Sequence, residues 1–207
     1  MADSFTAPLL GLVLSGGSSS RMGVDKSQIT YHGVPQSEWM LRMTRPFCED
    51  VFISSGMDIN LSENITVLKD DPKWGAIGPA AGLLTAAALR PDAAWLVTGC
   101  DYPYFPTEGI FELVRNRSKE HAAVAFMNAE TGSPEPLLTI YEPSAIRRLQ
   151  DRLENGDSSL RRLLEEIQTV RLLPIAGEWI CSVDTPAERD KALATFNTAG
   201  ITGPNCR

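Results

Sequence analysis

The residues able to do chemistry in this chain fall into two groups far apart in sequence. The first is the run Ser15-Gly16-Gly17-Ser18-Ser19-Ser20-Arg21, with Lys26 close behind it. Small residues let backbone N–H groups approach a ligand, and two cations beside such a loop complete a cradle for phosphate. A Gly/Ser run by itself also fits a surface turn with solvated charges. The apolar run in front and the paired cations behind favour the cradle. The second group is a pair of carboxylates, Asp101 and Asp184, each expected just past a strand. Transfer of a group between phosphates spreads negative charge over non-bridging oxygens, which calls for cations and for a divalent metal. Magnesium is held by one or two carboxylates plus substrate phosphates and water. Asp101 fits the first carboxylate and Asp184 the second, although each alone also fits a turn or helix N-cap aspartate.

These residues need elements to hold them. Leu9 to Leu14 is almost uninterruptedly apolar and reads as a buried strand. Further strands are expected at Ser27–Tyr31, Val51–Ser55, Ile65–Leu68, Ala94–Thr98, Ala122–Met127, Leu137–Tyr141, Val170–Leu173 and Trp179–Val183. Helices are expected over Val34–Arg45, from Gly78-Pro79 to Leu89, over Thr107–Arg117 with Thr107 as N-cap, over Pro143–Asn155, over Ser158–Gln168 with Ser158 or Ser159 as cap, and from Pro186 to Phe196. Asn128 to Pro136 reads as a polar loop. Short apolar runs alternating with helical patterns indicate an α/β domain, and Asp101 then sits past the carboxyl end of a buried strand, where open α/β sheets place ligands. Residues 1–196 are expected to form one domain, with 197–207 a loose tail.

At 207 residues, with 43% hydrophobic and 22% charged residues, the composition is that of a soluble globular protein. No apolar run reaches membrane-span length and the first residues lack a signal-peptide pattern, so a cytoplasmic protein is expected. Cys48, Cys100, Cys181 and Cys206 are scattered and read as reduced thiols. A net charge of −7 argues against nucleic acid as partner, while a free nucleotide needs only a local cationic pocket. His32 and His121 have no partner spacing and read as structural or solvated. Arg147, Arg148, Arg152, Arg161 and Arg162 read as exposed helix faces. Trp74, in a Gly-rich loop, fits either packing or a cover for a base.

The loop is neither a P-loop nor a dinucleotide Gly-x-Gly-x-x-Gly pattern. It resembles the signature of the MobA-like nucleotidyltransferases, Leu-Ala-Gly-Gly-x-Ser-x-Arg-Met-Gly-x-Asp-Lys. Leu14, Gly16, Gly17, Ser19, Arg21, Met22, Gly23, Asp25 and Lys26 match, and Ser15 stands for the alanine. Gly78-Pro79-Ala80-Ala81-Gly82 is similar to the family's Gly-Pro-Leu-Ala-Gly, Cys100, Asp101 and Pro103 to its Cys-Asp-x-Pro, and Asp184-Thr185-Pro186 to its Asn/Asp-Thr-Pro. Ser182 stands where the family has an asparagine, and Ser54 likewise.

The resemblance spans about residues 8 to 195. It implies a Rossmann-like three-layer α/β/α sandwich with a mostly parallel mixed sheet. It also implies Mg²⁺-dependent transfer of a guanylyl group from GTP to molybdopterin carrying molybdenum, with release of pyrophosphate. Arg21, Lys26 and Asp101 would be catalytic. Leu14, Ser15, Gly16, Gly17, Ser19, Arg21, Lys26, Ser54, Asp70, Asp71, Gly78 and Asp101 would bind the nucleotide, and Asp101 and Asp184 the metal. A molybdoenzyme or cofactor-delivery protein would receive the product. Glu135-Pro136-Leu137 resembles a family segment on the acceptor side. Gly16-Gly17 favours guanine, since cytidylyl relatives tend to carry Ala-Gly there. A cytidylyl- or sugar-phosphate nucleotidylyltransferase of the same fold and a non-catalytic nucleotide-binding or delivery protein are the alternatives.

Overall fold

The computed structural model describes residues 7–15, 25–55 and 66–198. Its centre is β1 (Leu9–Leu14), buried at all six positions. β1 pairs in parallel with β2 (Val51–Ser54) on one side and β4 (Ala94–Gly99) on the other. β3 (Thr66–Leu68) extends the sheet beyond β2. On the other flank β6 (Pro134–Tyr141) runs antiparallel to β4, β5 (Ala123–Met127) antiparallel to β6, and β7 (Thr169–Leu172) parallel to β5. The order is β3-β2-β1-β4-β6-β5-β7, so β6 alone opposes the common strand direction.

Helices cover both faces. α2 (Pro79–Leu89), α4 (Pro143–Glu154) and α5 (Leu160–Glu166) pack on Leu10, Leu12, Trp95, Val97, Ala125 and Tyr141. α1 (Gln36–Thr44) and α3 (Thr107–Arg115) pack on the side chains of opposite parity, including Val13, Ile53, Leu96, Phe126 and Ile140. The alternation follows from the two-residue period of a strand, and both faces are apolar because both are covered. This is the expected three-layer α/β/α sandwich with a mostly parallel sheet. A last helix, α6 (Pro186–Thr198), builds a small separate cluster of Val183, Ala192, Leu193 and Phe196 against Ile29, Tyr31 and Tyr104.

The connections create the site. The chain steps outward from β1 to β2 to β3, then returns to lay β4 on the other side of β1. The crevice past the carboxyl ends of β1 and β4 is therefore the topological switch point, where such sheets bind ligands. Gly82 brings α2 onto this end of the sheet: a Cβ there would lie 2.7 Å from Leu14 Cδ2 and 2.7 Å from Ser54 Oγ.

Several expected elements differ. Ser27–Tyr31 is not a strand. Asp25 Oδ1 accepts from Ser27 N at 2.9 Å, and this closes the chain into a 3-10 turn over Lys26–Gln28. Trp179–Val183 is not a strand either, since Gly177–Ile180 is a 3-10 turn. Thr107 is the first helical residue of α3 rather than its cap, which is Pro106. The loop expected to run to Pro136 ends at Ser133, because β6 begins at Pro134. The register with β5 shifts between Ala125 and Met127, and Pro134 opposes Met127, a place where proline is tolerated in a sheet. Ser159, not Ser158, caps α5. α6 runs through Thr198, and the remainder of the expected tail lies outside the described residues, as does Ile65 of the expected third strand. Arg152 is not an exposed helix face: it is buried and paired with Asp157 and Glu166. Cys48, Cys100 and Cys181 are free thiols. Among the described residues no helix is long and apolar enough to cross a membrane.

Candidate active site

Gly16, Gly17, Ser19 and Arg21 lie outside the described residues. The two ends of their loop are placed. Leu14 ends β1. Ser15 N and Ser15 Oγ both donate to Ser54 O, at 3.0 and 2.9 Å, which holds the loop's entry against β2. At its exit, Lys26 begins the 3-10 turn that Asp25 caps. Ser27 O accepts from Ser37 Oγ at 3.0 Å, and Ile29 O from Gln36 N at 2.9 Å, so the start of α1 pins the turn.

Asp101 lies two residues past β4. Cys100 N donates to Leu14 O at 3.3 Å, which keeps this segment beside the end of β1. The carboxylate folds back over Gly99, where a Cβ would lie 2.3 Å from Asp101 Oδ1. Oδ1 is sealed from solvent and has no hydrogen-bond partner among the described residues. Burial raises the Asp101 carboxyl from 3.8 to about 6; the Lys26 ammonium works against that rise, and the Asp184 and Glu135 carboxylates add to it. A buried carboxylate oxygen without a donor is costly unless something else supplies positive charge.

Asp184 reaches this cavity from the far end of the chain. Val183 N donates to Asp101 O at 2.8 Å, which draws the segment alongside. Asp184 Oδ1 meets Lys26 Nζ at 2.5 Å, and Ser182 Oγ donates to Oδ2 at 2.7 Å. The residue is not the cap of α6. Thr185 and Glu188 form a reciprocal capping box: Glu188 Oε2 accepts from Thr185 N at 2.9 Å and from Asp184 N at 2.8 Å, and Glu188 N donates to Thr185 Oγ1 at 3.3 Å. That arrangement leaves the Asp184 side chain to Lys26 and Ser182.

On the outer flank, Ser54 Oγ donates to Asp70 Oδ1 at 2.8 Å. Asp71 turns elsewhere: its carboxylate accepts from Lys73 N at 3.0 Å and pairs with Lys73 Nζ at 2.8 Å. Of the two neighbours, Asp70 is the one tied to the strand ends. Gly78 opens α2 with φ +65, a conformation that favours glycine. Trp74 is half-buried against the core beneath α2, with the Lys73 ammonium 4.7 Å from its ring centre.

Lys26, Asp101 and Asp184 therefore lie together at the switch point, with Leu14, Ser15, Ser54 and Asp70 on its β1–β2–β3 side. His32 and His121 stay apart from it. His32 stacks on Trp39 at 4.1 Å and its Nε2 meets Pro103 O at 2.9 Å, while His121 Nδ1 pairs with Ser118 Oγ at 2.7 Å. Cys100 is buried and its thiol is pushed well up, by burial first and then by Asp101. Among the described residues no three His, Cys, Asp or Glu side chains converge as a metal cage. A cation here would take few protein ligands, as magnesium does, and the orphaned Asp101 Oδ1 suits one of them.

Two functional features escaped the sequence. Gly99 is required by the folded-back Asp101, a packing relation with no local pattern. Glu135, placed in a loop by its polar neighbours, is a buried residue of β6 that accepts from Tyr102 OH at 3.0 Å beside Asp101. The only sequence signal was the resemblance of Glu135-Pro136-Leu137 to a family segment.

The chain is similar to known proteins in sequence and in fold. A bifunctional molybdenum cofactor biosynthesis protein of Synechocystis sp. is 36% identical over 149 residues, which is 70% of this chain and 42% of that protein. This chain thus spans under half of that relative's length. A molybdenum cofactor guanylyltransferase of Pseudomonas syringae pv. syringae is 30% identical over 84% of this chain and 88% of its own length. Among solved structures, a molybdopterin-guanine dinucleotide biosynthesis protein A from Archaeoglobus fulgidus superposes with a TM-score of 0.74 at 21% identity, covering 91% of this chain and 99% of that one. A 2-C-methyl-D-erythritol 4-phosphate cytidylyltransferase from Thermus thermophilus gives 0.62 at 14%, covering 93% and 99%. At these identities the structural likenesses speak for the fold alone. The family model of the MobA-like NTP transferase domain matches residues 11–171, and the chain belongs to that family.

Proposed function

We propose that this chain is a molybdenum cofactor guanylyltransferase: it transfers the guanylyl group of GTP to the phosphate of molybdopterin carrying molybdenum. An acceptor phosphate oxygen bonds to the α-phosphorus, the bond from that phosphorus to the β-phosphate oxygen breaks, and pyrophosphate leaves with the charge. The observation that carries the reading is the meeting of Lys26, Asp101 and Asp184 at the β1/β4 crevice, beside a loop that matches the family signature. The names of the sequence relatives supply the guanine and the molybdenum cofactor.

Each residue then has a task. Lys26 neutralises the triphosphate as the leaving group gains charge, and Arg21 acts with it from the loop. The backbone of Ser15, Gly16, Gly17 and Ser19 cradles phosphate. Ser54 and Asp70 line the nucleoside side, with Gly78 at the start of α2 and Asp71 as Asp70's structural neighbour. Asp101 would hold Mg²⁺, with Asp184 as second carboxylate once Lys26 has turned to phosphate. Magnesium, when bound, would offset charge on the transferred phosphate. Free cysteines and an acidic surface support a cytoplasmic setting, in which a molybdoenzyme or a delivery protein would take the product.

The test is to give the purified chain each of the four nucleoside triphosphates with molybdenum-loaded molybdopterin and with sugar phosphates, and to measure pyrophosphate. Release is expected with GTP and the cofactor, lost in chelator and restored by magnesium. Turnover with CTP alone, or with a sugar phosphate alone, would assign the chain to another branch of the fold. GTP binding without turnover would make it a binding or delivery protein.

A further inference from the structure

Glu135 is a polar group that the reading above does not use. It lies on the opposite side of Asp101 from β1, since β4 pairs with β1 on one edge and with β6 on the other. The residue is buried, and burial raises its carboxyl, against the hydrogen bond from Tyr102 and the charge of Arg161. Two uncharged groups help hold it: Tyr102 OH at 3.0 Å, and the side chain of Asn128, whose Oδ1 is already taken by Glu130 N and Thr131 N. The strand around it is bent on purpose. Thr139 Oγ1 donates to Glu135 O at 2.7 Å and Tyr141 OH to Pro136 O at 2.9 Å, and the β5/β6 register shifts here. Such irregularities re-aim side chains beside active sites.

An ionised carboxylate has about four acceptor positions and no donor. Tyr102 and Asn128 fill some of them, so the group still suits a ligand edge that carries N–H donors. Resting on the guanylyl-transfer reading, we propose that Glu135, fixed by Tyr102, orients the acceptor by accepting hydrogen bonds from the amino and ring N–H groups of its pterin. Guanine carries the same donor edge. On the guanylyl-transfer reading, however, the nucleoside lies on the flank of Ser54 and Asp70, across β1 from Glu135, which leaves the β6 side to the acceptor.

The experiment measures initial rates of the full chain against acceptor, GTP and magnesium in turn, for wild type, Glu135→Gln and Tyr102→Phe. Glu135→Gln keeps the shape and replaces one acceptor oxygen by a donor. The expected result is an acceptor KM raised about tenfold or more in Glu135→Gln and less in Tyr102→Phe, with the GTP KM and the magnesium midpoint within about twofold of wild type. An unchanged acceptor KM overturns the proposal. A raised GTP KM would place guanine there instead, and a shifted magnesium midpoint would make Glu135 a metal ligand; either overturns it as well. Thermal melting of each variant separates these outcomes from misfolding. Should Glu135→Gln not fold, Tyr102→Phe alone decides. Absence of guanylyl transfer by wild type in the same assay refutes the underlying reading, and the inference falls with it, whereas turnover with unaltered KM refutes the inference alone.

Discussion

On the β1–β2–β3 flank of the cleft, polar contacts are made by short side chains and backbone: Ser15 on Ser54, Ser54 on Asp70, with Gly82 letting α2 close over them. On the β6–β5–β7 flank they are made by long side chains buried under the sheet's end, Tyr102 on Glu135 with Asn128 beside it. The first flank keeps small polar groups close to the strand ends, with Ser15 N and Oγ both spent on Ser54 O. The second presents a fixed carboxylate, which suits one pattern of donors. Asp101 stands between, its Oδ1 buried and without a hydrogen-bond partner among the described residues.

Four substitutions would break or sharpen that contrast. The largest effect is expected from Asp101→Ala: turnover falls on the order of 10³-fold, while GTP affinity without metal, read by calorimetry, changes little. Equal losses in both would place Asp101 with the nucleotide flank. Next is Gly82→Val, which forces apart α2, Leu14 and Ser54 and should cost about 1–3 kcal/mol by denaturant unfolding, with weaker GTP binding. If stability held and only the acceptor KM moved, the division into flanks would be wrong.

Asp101→Asn tests the buried charge in metal-free buffer. A carboxyl raised from 3.8 to about 6 binds its proton more tightly in the fold, so the stability it contributes is full below about pH 4 and lost as pH rises through about 6. The variant should therefore melt about 6–12 °C above wild type at pH 8 and level with it near pH 4. A constant gap across that range would contradict the shift. The smallest effect on stability is expected from Asp184→Asn, under about 1 kcal/mol, because the pair with Lys26 is half exposed on the aspartate side. A larger loss would mean that the ion pair, and not the Val183–Asp101 contact, fastens the α6 segment.

The parts of the fold that depend on local pattern were legible. β1, β4 and α2 read out directly, since an unbroken apolar run and a Gly-Pro helix start leave few alternatives. Lys26 and Asp101 were legible as candidates because strand-end position and residue type agree, and the fold brings them close together. The misreadings came where one side chain overrode the pattern. Asp25 captures Ser27 N and turns an apparent strand into a tight turn. Pro134 opens β6 at a register shift, so the loop's composition hid three strand residues. Thr185-Pro186-Ala187-Glu188 was a readable capping box, and reading it would have shown that Asp184 is not the cap of α6. The Tyr102–Glu135 contact joins residues 33 apart through that same shifted register, and no local rule reaches it.

The aromatic lock at the end of α6 has a consequence for synthesis. Phe196 stacks on Tyr104 at 5.2 Å and meets His32 edge-on at 4.4 Å, so α6 staples two earlier stretches of chain together. Until α6 has left the ribosome, the partner of Lys26 has not arrived. A nascent chain with α6 still sheltered should be inert, and catalysis should switch on only once α6 has docked.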